Sequence, residues 1–314
     1  MKASGAALLL AAAALLSCEE RIGQDARGAR ESIAPRARAK PAGALRVTVF
    51  ELPVHGLALA IETPSGALHF VDTGAKADDR SSGKEVLGPF VRDLGVQEIA
   101  GIAISHPDRD HFEGARYLLK HFTVRSFVDA APEGAAVPGD FIETRERARA
   151  QGATMRRLIA GDVLDWDPAL EVTVLAPPKE AIATKEKNLL NDHSLVLRIR
   201  HGTQVLLLPG DIERAGAASL LSTTPAATLR ADVLVAPHHG FFEEARFAAV
   251  VAPKHVVVSC QAEYDDKRPR EPGKLAEALF GAVGAKVWVT ASDGTIAITS
   301  DGARCEVVPA RERE

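Results

Sequence analysis

Ser105-His106-Pro107-Asp108-Arg109-Asp110-His111-Phe112-Glu113-Gly114 places four side chains able to ligate a metal within six residues, His106, Asp108, Asp110 and His111. The stretch grows out of the apolar run GIAIS (101–105) and leads into FEGARYLLKHF (112–122), whose apolar positions recur at helical spacing. A strand end passing into a helix start gathers such side chains into one concavity, and imidazole with carboxylate suits zinc, manganese or iron. The bland alternative is a solvated loop rich in His and Asp. Against it, further candidate ligands sit at the ends of other apolar runs: Asp211 closes LLLPGD, His238 and His239 close VLVAPHH, and Asn191-Asp192-His193-Ser194 precede LVLRIR. Taken singly, Asp211 could cap a helix and the His pair could be surface residues. Taken together they describe a site in which an acid at the end of a buried strand bridges two cations.

Outward from this stretch the chain punctuates itself regularly. LRVTVF (45–50), LALAIE (57–62) and ALHFVDTG (67–74) read as a β-meander, with Thr63-Pro64-Ser65-Gly66 turning the second connection. GKEVLGPFVRDLG, FEGARYLLKHF and FIETRERARAQG read as helices alternating with strands at IAGIAISH and VRSFVD, followed by a strand pair near LIAGDVLDW and LEVTVLAP. A second set runs from the hairpin SLVLRIRHGTQVLLLPGD through helices IERAGAASLL, FEEARFAAVVAP and GKLAEALFGAVGA to strands ADVLVAPHH, HVVVSC, VWVTA, GTIAITS and CEVV. Two mixed sheets packed face to face with helices outside them bury both sets, which predicts an α/β fold, a four-layer αββα sandwich over residues 43–310.

The chain has 314 residues, 46% of them apolar and 25% charged, enough for a large buried core. MKASGAALLLAAAALLSC (1–18) has a basic start and an apolar run too short for a spanning helix, which needs about 20 apolar residues; it reads as a signal peptide. Its last four residues resemble a lipobox, so the mature chain is expected to be exported and lipid-anchored through Cys18 in the bacterial cell envelope, with no transmembrane span. Residues 19–42, charged and aperiodic, are expected to be a tether. The whole chain carries −4; residues 19–40 contribute +2 and Lys2 +1, so residues 41–314 carry about −7. An acidic body lacks the basic stripe on which non-specific nucleic-acid binding relies. Cys260 and Cys305 lie in or beside apolar strands and are expected to be free thiols.

LHFVDTG, AISHPDRDHFEG, NDHSLVLRIRHG, LLLPGDIE and RADVLVAPHHG together resemble, in order and approximate spacing, the metallo-β-lactamase superfamily, in particular the branch with the C-terminal hydrolase domain of ComEC competence proteins and the phosphorylcholine esterases. The resemblance spans roughly residues 45–308. It implies two divalent metal ions, zinc with manganese or iron as alternatives. One would be held by His106, Asp108 and Asp211, and the other by Asp110, His111, Asp211 and one of His238 and His239. Asn191 or His193 would border the first, and Asp72 would orient a ligand by hydrogen bonding. Two such cations acidify a water for attack on a phosphodiester or other ester, with Asp110 orienting it.

Three positions depart from that pattern. LPVHGLA (52–58) replaces a turn that carries an acid and brings His55 there; Phe241 follows the His pair where a hydroxyl is usual; and Arg268, in Lys267-Arg268-Pro269, stands where a late active-site His would be. Arg268 could steady a phosphate oxygen as a fixed cation, or belong to a solvated basic turn. The function expected is an exported, metal-dependent hydrolase of the phosphodiesterase type. The alternatives are hydrolysis of lactones, thioesters or β-lactams on the same fold, against which Asp108 in place of the usual second His argues, and a surface module that binds metal without catalysis.

Overall fold

The computed structural model describes residues 40–131, 137–180, 182, 189–261 and 271–313. The expected signal peptide, Cys18, most of the tether and Arg268 lie outside the described residues.

The first half builds one sheet. Strands β1 (Leu45–Val49), β2 (Ala58–Glu62) and β3 (Leu68–Thr73) form the expected antiparallel meander. A π-helical turn, Gly83–Leu87, runs into α1 (Gly88–Asp93), and β4 (Gly101–Ile104) then pairs parallel with β3. After α2 (Arg109–His121) come β5 (Ser126–Asp129), α3 (Gly139–Ala150) and β6 (Thr154–Arg157). The second half supplies β7 (Val163–Leu164), β8 (Leu170–Ala176), β9 (Val196–His201), β10 (Gln204–Leu208), α4 (Arg214–Thr223), β11 (Val233–Val235), α5 (Ala245–Val251), β12 (His255–Val258), α6 (Pro272–Gly281) and β13 (Lys286–Val289). These seven strands lie side by side in chain order.

The last two strands correct the sequence reading, which grouped them with the second set. β14 (Ile296–Ser300) pairs antiparallel with β1, and β15 (Cys305–Pro309) with β14, completing an eight-stranded first sheet in the order β6-β5-β4-β3-β2-β1-β14-β15. Gly294, at φ +73°, ends the short helix Thr290–Asp293 just before β14, its N–H donating to Thr290 O, and β1 would otherwise expose an unpaired edge. β6 was not expected either, because its TMRR sequence lies at a sheet edge, where no apolar alternation is required.

Side-chain alternation along the strands makes three apolar layers. Val47, Ile61 and Val71 of the first sheet meet Val172, Leu197, Leu206 and Val233 of the second between the sheets. Phe70, Ile102, Phe112, Leu118 and Phe141 fill the space under α1 to α3, and Leu207, Leu234, Phe247, Ala276 and Phe280 that under α4 to α6. Three apolar layers between four layers of elements make the αββα sandwich. Cys260 and Cys305 are free thiols. Among the described residues no helix is long and apolar enough to cross a membrane.

Candidate metal centre

The carboxyl ends of strands from both sheets meet at one edge of the sandwich, the place where open α/β sheets form their binding crevices. Asp72 is the last residue but one of β3, Ser105 and His106 follow β4, Asp211 follows β10, the His238-His239 pair follows β11, and Ser259 follows β12. Asp108 is the residue before α2, whose first turn carries Asp110 and His111.

Two groups of three ligand-type side chains result: His106, His111 and Asp211, all buried, and His55, Asp110 and His239. Within each group the ligand atoms lie within 4.8 Å of one another. The groups touch through His111, His239 and Asp211. His111 Nε2 lies 3.2 Å from His239 Nε2, and each lies 3.3 Å from Asp211 Oδ2. His239 Nε2 is also 3.4 Å from Asp110 Oδ2, and His106 Nε2 is 3.5 Å from Asp108 Oδ2.

Outer hydrogen bonds set the tautomers. Asp72 Oδ1 accepts from Ser105 N–H (2.7 Å), and Asp72 Oδ2 accepts from Ser105 Oγ–H (2.8 Å) and from His111 Nδ1–H (2.8 Å). With its proton given to Asp72, Ser105 Oγ accepts from His106 Nδ1–H at 3.0 Å. His239 Nδ1–H donates to Ser259 O at 3.1 Å. All three imidazoles therefore turn Nε2 inward, the arrangement that outer partners impose on metal-ligating histidines. His106 Nε2 and Asp211 Oδ1 are buried with no hydrogen-bond partner among the described residues. An unpartnered buried acceptor costs about 1–3 kcal/mol, and a shared cation would remove that cost for both. The donor set fits divalent metals, held by His106, His111 and Asp211 and by His55, Asp110 and His239, with Asp108 beside the first group.

The electrostatics agree. Burial opposes charge on Asp211, yet His111 and His239 hold its carboxyl well below the usual range. Burial likewise opposes charge on Asp110, and His111 and His239 overcome it in the same direction. Burial would lower His239, but Asp211 and Asp110 raise it to about 9; His111 is raised well above its ordinary value against burial by Asp211, Asp72 and Asp110. His55 goes the other way, to about 3, through burial and the neighbouring His239. The negative potential that retains protons on His111 and His239 is one a divalent cation would exploit.

Backbone geometry brings the parts together. Asp72, His238 and His239 adopt left-handed φ values of +53°, +47° and +53°. Such conformations cost about 1–3 kcal/mol each and persist where surrounding structure imposes them, commonly at functional sites. A Cβ on Gly114 would stand 1.9 Å from Thr73 O, and one on Gly56 2.4 Å from Asp110 O. Those close approaches pack α2 onto β3 and the 53–57 loop onto Asp110, where Leu57 N–H donates to Asp110 O at 3.0 Å.

The structure thus brings together His106, Asp110, His111, Asp211 and His239, and sets Asp108 beside them with its side chain 43% exposed. The division between the groups differs from the expected one: His111 lies with His106 and Asp211, since neighbouring helix positions such as 110 and 111 point about 100° apart. His238 is turned toward Glu213, its Nδ1 3.3 Å from Oε1 and its Nε2 4.0 Å from Asp211 Oδ2, so His239 is the member of the pair inside the cluster. Asn191 donates from Nδ2 to Glu213 Oε1 (3.2 Å) rather than bordering His106, and His193 Nε2 accepts from Ile182 N–H (3.0 Å). The intervening Asp192 explains this, because its Oδ1 accepts from Glu213 N–H and Gly216 N–H at the start of α4 and turns the segment toward that helix. His55, which the sequence offered only as a departure, joins Asp110 and His239; its one signal was the glycine after it. Ser194, read only as a member of the 191–194 cluster, accepts at Oγ from Asp211 N–H (3.0 Å), and Ser259 was not legible as a site residue.

No family model matches the chain. ComE operon protein 3 of Bacillus subtilis (strain 168) is 29% identical over 218 residues, 69% of this chain and 26% of the relative. Competence protein ComA of Neisseria gonorrhoeae is 28% identical over 241 residues, 75% of this chain and 30% of the relative. The chain therefore spans under a third of the length of either. Among solved structures, the metallo-β-lactamase fold protein YhfI from Bacillus subtilis superposes with a TM-score of 0.53 at 10% identity, covering 82% of this chain and 100% of YhfI. A variant of the CmlA β-hydroxylase gives 0.51 at 13% identity, covering 80% of this chain and 53% of CmlA. The fold, the sequence similarity and the clustered histidines and aspartates agree: the chain has the metallo-β-lactamase fold and is similar in sequence to ComEC-type competence proteins.

Proposed function

We propose that this chain is a metal-dependent hydrolase of phosphodiester or closely related ester bonds, exported and tethered to the cell envelope through Cys18. The observation that carries the hydrolytic reading is the convergence of His106, His111, His239 and Asp211, with His106 Nε2 and Asp211 Oδ1 buried without a hydrogen-bond partner among the described residues. Two divalent cations, zinc foremost, would supply Lewis acidity and an acidified water there. The chain's own residues do the rest. His106, His111 and Asp211, almost wholly buried, form a floor from which water is excluded. Asp108 and Asp110 keep 43% and 32% of their side chains exposed, so a substrate reaches the centre from their side. Asp110, held ionised by the histidines, can accept a hydrogen bond from an attacking water and aim it at the bound ester.

Purified protein is expected to hold up to two equivalents of metal and to hydrolyse bis-p-nitrophenyl phosphate, with His106→Ala at least 100-fold slower. Substoichiometric metal, with wild type and His106→Ala equally inactive on that ester, on nitrocefin and on lactones, would leave the non-catalytic reading. Turnover confined to nitrocefin or lactones would move the activity to carbonyl substrates. For the anchor, Cys18→Ser should shift the protein from the membrane to the soluble fraction.

A further inference from the structure

Beside the metal centre, a cleft of about 670 Å³ is walled by Lys76, Lys84, Arg109 and Arg116, with Ser81 and Tyr117 between them. Its helical wall is one stripe of α2. Arg109, Glu113, Arg116 and Tyr117 recur at i, i+4, i+7 and i+8, while His111, Phe112, Ala115 and Leu118 face inward. The stripe begins at Arg109, between Asp108 and Asp110, and at about 1.5 Å per residue it runs roughly 10 Å to Arg116. The facing wall comes from the segment after β3, so both walls are continuous with elements that carry the centre.

The four cations are of two kinds. Arg109 and Arg116 are oriented by acids of α3: Arg109 Nη2 lies 2.5 Å from Asp140 Oδ2, and Arg116 Nη2 lies 3.2 Å from Glu143 Oε2. Each guanidinium has five N–H donors, so several stay available. Lys76 and Lys84 are exposed and have no ion pair among the described residues. Asp78, Asp79 and Glu113 also line the cleft, Glu113 Oε1 lying 3.6 Å from Arg116 Nη1, so four cations and three acids share its walls. Two lysines without an ion pair among the described residues, facing guanidinium donors across one cleft, give an anion ammonium and N–H groups to bind on an otherwise acidic surface.

We propose that this cleft is a second anionic subsite, taking a phosphate-type group of the substrate next to the one lying over the histidine and aspartate centre. The substrate would then carry at least two phosphate-type groups. This rests on the hydrolytic reading for its place in a reaction; the binding of an anion here does not.

The test uses wild type and the Lys76→Gln/Lys84→Gln double variant, checked for equal thermal midpoints. Calorimetric titration of the metal-free full chain with inorganic pyrophosphate should show binding that the double variant weakens about tenfold. With metal restored, KM for a 5′-phosphorylated thymidine dinucleotide relative to the unphosphorylated one should rise about tenfold in the variant. Lysine-dependent binding to phosphatidylcholine vesicles containing phosphatidic acid, in place of the dinucleotide effect, would assign the phosphate to a lipid headgroup and also supports the subsite. Pyrophosphate binding that is absent, or unchanged in the double variant, overturns it. A wild type that binds pyrophosphate through these lysines yet hydrolyses nothing refutes the hydrolytic reading and leaves the anion site standing.

Discussion

His111 Nδ1 lies 2.8 Å from Asp72 Oδ2 with both side chains fully buried, tying the first turn of α2 to the end of β3. The contact orients the imidazole so that Nε2 faces Asp211 at 3.3 Å. Asp72→Asn keeps the shape and removes the charge. Because such outer partners contribute 10–100-fold to metal affinity, the variant should bind zinc about 10- to 100-fold more weakly, measured against a chromophoric chelator. Unchanged affinity would mean that Asp72 serves packing alone.

His55 lies with Asp110 and His239 rather than with His106, His111 and Asp211. His55→Ala should therefore lower metal content from two equivalents toward one, while His106→Ala should deplete the other group. Elemental analysis of both variants reads this directly, and two full equivalents in His55→Ala would remove His55 from the ligand set.

Gly114 has no room for a side chain, since a Cβ would stand 1.9 Å from the carbonyl oxygen of Thr73. Backbone on both sides cannot give way cheaply. Gly114→Ala should cost about 3 kcal/mol, the upper end of ordinary overpacking, in urea unfolding. Gly139, at the start of α3, meets nothing within 4 Å among the described residues, so Gly139→Ala should be neutral or stabilise by up to about 1 kcal/mol.

His69 is buried at the far end of β3, stacked on Trp166 at 4.6 Å, and burial lowers its pKa to about 4. Between about pH 4 and 6.5 the unfolded chain binds a proton that the folded chain refuses. This group therefore adds a stability loss as pH falls through that window, at most about 3 kcal/mol at about 1.4 kcal/mol per unit. His69→Phe retains the stacking and should flatten the stability difference between pH 4 and 6.5. An identical pH dependence in both proteins would rule out His69 as the cause.

Most elements were legible because their cause is local. The alternation in LRVTVF and LHFVD, and the helical spacing in FEGARYLLKHF, state which face of each segment must leave water, whatever it packs against. The spacing of His106, Asp108, Asp110 and His111 over six residues, at a strand end and a helix start, likewise required no distant partner to read. Other features depended on contacts between residues far apart in the chain, whose energy no local pattern records. β14 pairs with β1 some 250 residues away and carries β15 on its other edge. His239 and not His238 enters the cluster because two successive left-handed residues rotate the turn after β11. His55 arrives because Gly56 lets its loop lie against Asp110, and Asn191 is drawn to Glu213 by the Asp192 cap on α4. The sequence by itself determined the layers and the central ligand motif, through burial and short-range spacing. Only the tertiary structure decided which histidines complete the centre, because that depends on backbone rotation and loop packing across two sheets.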